Sequence, residues 1–323
     1  MLRCAYRLLV GFAALLIAVA APAAEVYPAK LVKIVVPFAA GGSTDLLTRS
    51  VAQQLSEAWK RPVVVEYRAG GGGVVGSEYV VKSPADGYTL LLGTNTTHAA
   101  AATLYAKLPY DLRRDFAPIT EIASIPLILS VHPSIPVKSV KELVALAKAK
   151  PGELNFGGGT GAAAHMAMEL FESMAKIKMV HVPHKGMSPA LTDLMAGQVQ
   201  VLLVSAASVE AQIKSSRLRA IGMSTAKRSS FAPNLPTIAE SGLPGYDVSL
   251  WWGIFAPVKT PRPVVERLNA EINKILVTEE IKKRFADFGA EPTPASPEAF
   301  TAMFKSEIVK WSKVVKESGI KAE

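Results

Sequence analysis

The chain has 323 residues, one cysteine, 36 Lys and Arg against 27 Asp and Glu, and a formal net charge of +9. A single cysteine excludes an internal disulfide framework. The basic residues are scattered, without the stripe of Lys, Arg and stacking aromatics that nucleic acid requires, so no nucleic-acid partner is expected.

The first element is "MLRCAYRLLVGFAALLIAVAAPAAE": Arg3 and Arg7, an apolar run from Leu8 to Ala20, then Ala21-Pro22-Ala23. That order reads as a cleaved signal peptide over residues 1–23. Cys4 lies before the apolar run, where no lipid attachment would place it. Beyond the leader the charge falls to +7, because the leader holds two arginines and no acid. A chain beyond about 250 residues usually splits into two cores, and no later apolar run is long enough to span a bilayer. The expectation is an exported, extracytoplasmic protein of two domains.

Strand-like runs and helical faces then alternate. Leu31 to Pro37 reads as a strand, and Leu47, Val51, Leu55 and Trp59 make one helical face. Strand-like runs follow at Val63 to Tyr67, Tyr88 to Leu92 and Leu127 to Val131. A helix begins after Ser139 with Val140, Leu143 and Ala147 on its apolar face. Further strands are expected at Lys178 to Val182, Val199 to Val204, Leu218 to Met223 and Trp251 to Phe255. Phe300, Phe304, Ile308, Trp311 and Val315 mark the last helix. This alternation predicts an α/β fold with mostly parallel sheets, and Val-rich strands suit burial on both faces.

Two strand ends share a grammar. "PFAAGGSTDLLTRSVAQQL" and "FGGGTGAAAHMAMELF" both run from strand end through glycines and a hydroxyl residue into a helix. Glycine turns that aim N–H groups at a helix N-terminus suit an anion. The P-loop Lys and the GxGxxG pattern are missing, so a carboxylate fits better than a polyphosphate. Tight turns with ordinary caps explain the same residues. Asp45 reads as favourable charge in a first helical turn. "RAGGGGVVGSEYV" is a third glycine run, either a cleft-edge loop or a flexible one. Thr94, Asn95 and Thr96 form a polar strand end before His98, able to donate to a ligand. His165 can cap, pack or touch ligand. His181 and His184 flank Pro183 without a converging set of ligands, so no metal and no cofactor is expected. No GxSxG, HExxH or cysteine nucleophile is present, which argues against an enzyme.

The chain resembles the tripartite tricarboxylate transporter substrate-binding proteins, the Bug receptor family. The matching stretches are "VPFAAGGSTDLLTR", "EYRAGGGGVVGSEYVVKSPADGYTLLLGTNTTHA", "LPYDLRRDFAPIT", "AKAKPGELNFGGGTGAAAHMAMELF", "HVPHKGMSPALTDLMAGQVQ" and "LPTIAESGLPGYDVSLWWGIFAP", in the family's order. The resemblance implies a type II periplasmic binding protein whose two lobes close on a ligand. Chain crossings are expected near Ser124 to Ile128 and near Asp247 to Trp251. Lobe 1 would then hold residues 24–125 plus 249–323, and lobe 2 residues 126–248. By the same resemblance Ala40, Gly41, Ser43, Gly158, Thr160 and Gly161 clamp a ligand carboxylate. Two departures stand out: His184 replaces a tyrosine of the family's HVPYKG, and Val204 and Ser205 stand where amino-acid-binding relatives carry an acid. A plain mono- or dicarboxylate, aliphatic or aromatic, is therefore expected, with Thr94, Asn95, His184 and Ser205 completing the site. The implied partners are the membrane permease subunits of a tripartite transporter, and the implied protein is a periplasmic monomer. A sensor partner in place of a permease, or an enzyme acting on a small acid, are the alternatives.

Overall fold

The computed structural model describes residues 27–105, 107–229 and 231–320. The signal-peptide expectation falls on residues outside these. Among the described residues no helix is long and apolar enough to cross a membrane.

The first half begins with β1 (Val32–Val36), whose VKIVV sequence is buried on both faces as a parallel strand should be. Helix α1 (Ser43–Trp59) buries Leu47, Val51 and Leu55 at helical spacing. Strand β2 (Val63–Tyr67) returns parallel to β1. One 3₁₀ turn, Gly71–Gly73, leads into α2 (Val74–Val81), and β3 (Thr89–Thr94) pairs parallel with β1. A wide π-type turn over Asn95–Ala100 continues into the short α3 (Ala101–Leu104).

The long strand β4 (Phe116–Val131) joins the halves. The second half holds α4 (Val140–Ala149), β5 (Asn155–Gly158), α5 (Ala163–Ala175), β6 (Val180–Pro183), α6 (Met187–Met195), β7 (Val201–Ser205), α7 (Ala206–Lys214) and β8 (Arg219–Met223). The chain returns through β9 (Ser249–Pro257), followed by α8 (Arg262–Leu276), α9 (Glu279–Ala286) and α10 (Pro297–Ser318).

The strands form one continuous path, β2-β1-β3-β9-β4-β7-β5-β6, with β8 also on β4. The outer ladders are parallel, as expected from sequence. The ladders of β4 with β7, β8 and β9, and of β3 with β9, are antiparallel. That difference follows from the topology: β4 carries the chain into the second half and β9 brings it back. β4 pairs with β9 through Pro126 and with β7 and β8 from Leu127 onward. Ser224, fully buried, ties both passages together. Its hydroxyl accepts from the Leu127 N–H at 2.9 Å and donates to the Val248 carbonyl at 2.6 Å.

One core lies between the first sheet and α1, α8 and α9, with Ile34, Leu55, Leu268 and Phe285. Another lies under α6 and α7, with Leu194, Leu202 and Val209. The largest belongs to both halves. It runs from Val35 and Leu91 through Phe255, Phe300 and Trp311 to Phe156 and Phe171. Helix α10 is its spine: the first turns meet the aromatics of β9, while Ser173 of α5 donates to Glu317 near its end at 3.0 Å.

Candidate functional site

Strand direction decides where the loops go. β4 runs from the first half to the second. β3 is antiparallel to β9, and β9 to β4, so β3 and its parallel neighbour β1 point the same way as β4. Their carboxyl ends therefore face the second half. β7 is antiparallel to β4, and β5 parallel to β7, so their carboxyl ends face back. The loops after β1, β3, β5 and β7 thus open on the gap between the halves, where ligands of open α/β sheets bind. Register agrees: Thr94 is opposite Trp252, and Ser205 is opposite Leu127 at the passage itself.

In the turn after β1, Ala39 to Ser43 are exposed. Gly41 has φ +100°, a left-handed conformation that favours glycine, and open space where a Cβ would stand. Gly42 is the N-cap and has no side chain to satisfy the first N–H groups of α1, which lack partners within the helix. Asp45, buried, anchors the turn: its carboxylate accepts from the Gly41 N–H at 2.8 Å and from the Tyr67 hydroxyl at 2.6 Å. The bond to Asp45 pushes the Tyr67 hydroxyl up, and Arg49 lies beside both. Thr44 accepts from the Trp252 indole at 2.9 Å, which fixes the start of α1 to the return strand.

The turn after β5 repeats this backbone. Gly161 has φ +70°, Ala162 is the N-cap, and α5 starts at Ala163, each shifted by the same number of residues from Gly41, Gly42 and Ser43. The Gly161 N–H again donates four residues on, here to His165 Nδ1 at 3.0 Å. Thr160 is exposed beside it. Gly158 is buried, and its carbonyl accepts from the His184 N–H at 2.9 Å and from His181 Nε2 at 3.0 Å. His165 and His181 stack with ring centroids 3.7 Å apart.

Ala40, Gly41, Ser43, Thr160 and Gly161 therefore lie on the two turns that open on the gap, while Gly158 lies beneath the second. The Thr94 hydroxyl meets those of Thr96 and Thr97, at 3.1 and 3.2 Å. Asn95 is committed to β9: its amide donates to the Ser249 carbonyl at 2.6 Å and its carbonyl accepts from the Trp251 N–H at 2.9 Å. The His184 ring is nearly enclosed, with Nδ1 at 2.8 Å from the Val182 carbonyl and Nε2 at 2.8 Å from Asp193. Ser205 stands at the N-cap position of α7 without a capping bond, and its hydroxyl meets that of Ser208 at 2.7 Å. His98 is a core residue, stacked on Phe255, and burial pushes its imidazole down to about 3. The third glycine run is a packing device: a Cβ at Gly73 would sit 2.5 Å from the Thr97 methyl. Among the described residues no three His, Cys, Asp or Glu converge on a point where a metal could sit.

From sequence, Asp45 reads only as favourable charge in a first helical turn, and Tyr67 and Trp252 only as strand residues; none of the three reads as bracing the turn. A signal for Asp45 was present: a glycine followed four residues later by a hydrogen-bond acceptor, in both turns. Tyr67 and Trp252 arrive from distant strands and carry no such signal.

The chain matches the family model described as tripartite tricarboxylate transporter family receptor over residues 47–320. It is 37% identical to protein BugT of Bordetella pertussis, over 94% of each chain. Among solved structures it resembles R. palustris Rpa4515 with adipate, at 37% identity and TM-score 0.74, over 91% of this chain and 99% of that one. It also resembles MatC of Rhodopseudomonas palustris with bound malate, at 30% identity and TM-score 0.70, over 90% and 100% of the two chains.

Proposed function

Because the chain belongs to the tripartite tricarboxylate transporter receptor family, we propose that it captures a small dicarboxylate between two lobes and delivers it to the membrane subunits of a tripartite transporter. The fold is that of two-lobed solute-binding proteins, and its family and structural neighbours are binding proteins rather than enzymes. In this reading lobe 1 comprises residues 24–125 and 249–323, lobe 2 residues 126–248, and the protein works in the periplasm. Ala40, Ser43 and Thr160 meet the ligand, while Gly41 and Gly161 shape the turns. The adipate and malate held by the two relatives motivate the dicarboxylate.

The observation that carries the reading is the pair of matching glycine turns on opposed carboxyl edges. Each opens a helix whose first N–H groups and dipole favour an anion. Closure brings both to one ligand, so the closed state is selected by contacts that only it makes. The test is calorimetry of ligand-stripped protein with adipate and malate, joined to native mass spectrometry of any co-purified molecule. A dicarboxylate should bind with a fall in radius of gyration by small-angle scattering. A co-purified ligand without a carboxylate, together with no response to either acid, would overturn it.

A further inference from the structure

Gly41 and Gly161 donate to acceptors of different chemistry. A carboxyl group accepts in either protonation state, because a carbonyl oxygen remains. An imidazole nitrogen accepts only while it carries no proton. His165 Nδ1 accepts the Gly161 N–H at 3.0 Å, so the ring's proton belongs on Nε2, which faces Glu169 at 3.3 Å. A second proton on Nδ1 would set two N–H groups against each other.

The surroundings make that event local to the turn. Glu169, one turn along α5, faces the Nε2 side of the His165 ring. The His181 ring, from β6, lies parallel at 3.7 Å and opposes a second charge in the stack. His181 is held below its usual range by burial first and by His165 next. Behind it, His184 is paired with Asp193. Phe156 closes the apolar side. His181 also holds the Gly158 carbonyl, so the stack grips both ends of the turn.

We propose that His165 is the positioning residue of the second turn, that its neutral, Nε2-protonated form is the binding-competent one, and that acid unlatches this turn while leaving the Asp45-held turn in place. The affinity consequence rests on the carboxylate reading above; the latch itself does not. If one proton must leave before ligand binds, affinity falls on the order of tenfold per pH unit below the titration.

The test has two arms. In ligand-free protein, the Gly161 amide and the His165 ring nitrogens are followed by NMR from about pH 8 to about pH 5, the range in which imidazoles titrate. The Gly161 resonance should move with His165 Nδ1, and their coupling across the N–H···N bond should vanish on the acid side. In the second arm, adipate affinity is measured over the same range for the wild type, His165→Asn and His165→Ala. Asn offers an acceptor that does not titrate, so its profile should be shallower than the wild type's, leaving only the slope from adipate's own protonation, whereas Ala should bind more weakly than Asn at every pH. A His165→Asn profile as steep as the wild type's, or a Gly161 amide indifferent to titration of the His165 ring, overturns the proposal. Adipate that binds at no pH counts against the carboxylate reading, and the amide arm still decides this one.

Discussion

The turn after β1 and the turn after β5 have the same backbone and different attachments. Each has a left-handed glycine, an N-cap without a capping side chain, and an N–H donated four residues on. In the first half the acceptor is a carboxylate braced by Tyr67, and the turn stands open to solvent. In the second half it is an imidazole in a stack. Hydrogen bonds to a charged acceptor contribute about 1.5–3 kcal/mol, neutral ones about 0.5–1.5. The constrained quantity is the direction of the N–H groups; any acceptor at the right spacing satisfies it. The two turns are therefore held by bonds of different strength.

The comparison breaks most directly by adding charge. Gly41→Asp and Gly161→Asp should each lower dicarboxylate affinity by more than about a hundredfold, since like charges repel strongly in a dry cleft. Both substitutions also place a side chain on a left-handed backbone, Gly41 at φ +100° and Gly161 at φ +70°, so each should lower the melting temperature. Calorimetry with circular dichroism checks both; affinity retained in both variants would remove the turns from the site.

Asp45→Ala tests the stronger attachment. It leaves the Gly41 N–H and the Tyr67 hydroxyl without their acceptor, a loss of about 1–3 kcal/mol in urea unfolding. A smaller loss than for His165→Ala would reverse the ranking of the two latches.

Glu172, on the same helix as His165, sharpens the contrast through pH. Burial pushes its carboxyl up to about 7, above the ordinary 4.5, while it accepts from the Met179 N–H. A raised carboxyl favours folding at low pH, and that contribution is lost as pH rises through about 7. Glu172→Gln keeps an acceptor and cannot ionise. It should stabilise the protein at pH 8 by on the order of 1 kcal/mol, discounted for partial water access, and by little at pH 5. Equal effects at both pH values would count against the buried neutral acid. The smallest effect is expected from Tyr67→Phe, about 0.5–1 kcal/mol, because Asp45 keeps its bond to Gly41. Adipate affinity measured alongside shows whether the brace matters to binding.

Much of the fold was legible because it is local. The faces of α1, α4 and α10 follow from apolar spacing, and β1, β2 and β7 from short Val-rich runs. The first part of β4 was not legible. Pro118, Thr120, Glu121 and Pro126 interrupt its pattern, and two register shifts against β9 absorb the interruptions. Only pairing with a strand from far along the chain makes it a strand. The turns themselves could be read as anion-directed from their glycines. The commitment of Asn95 to β9 could not, since its partners lie at Ser249 and Trp251. Likewise the Asp45–Tyr67 contact depends on β2 lying beside β1, which no local pattern specifies.

Helix α10 has a kinetic consequence. Its aromatic face completes the core shared by both halves, and it is made after β9 and after every strand of the second half. Until residues 300–320 are available, Phe255 and Trp251 on one side and Phe171 on the other lack their common partner. The shared core therefore forms late, whereas the cores under α1 and under α6 and α7 use no residue of α10 and can form without it. A truncation before Phe300 would leave two half-cores exposed together, rather than one lobe folded and one lost.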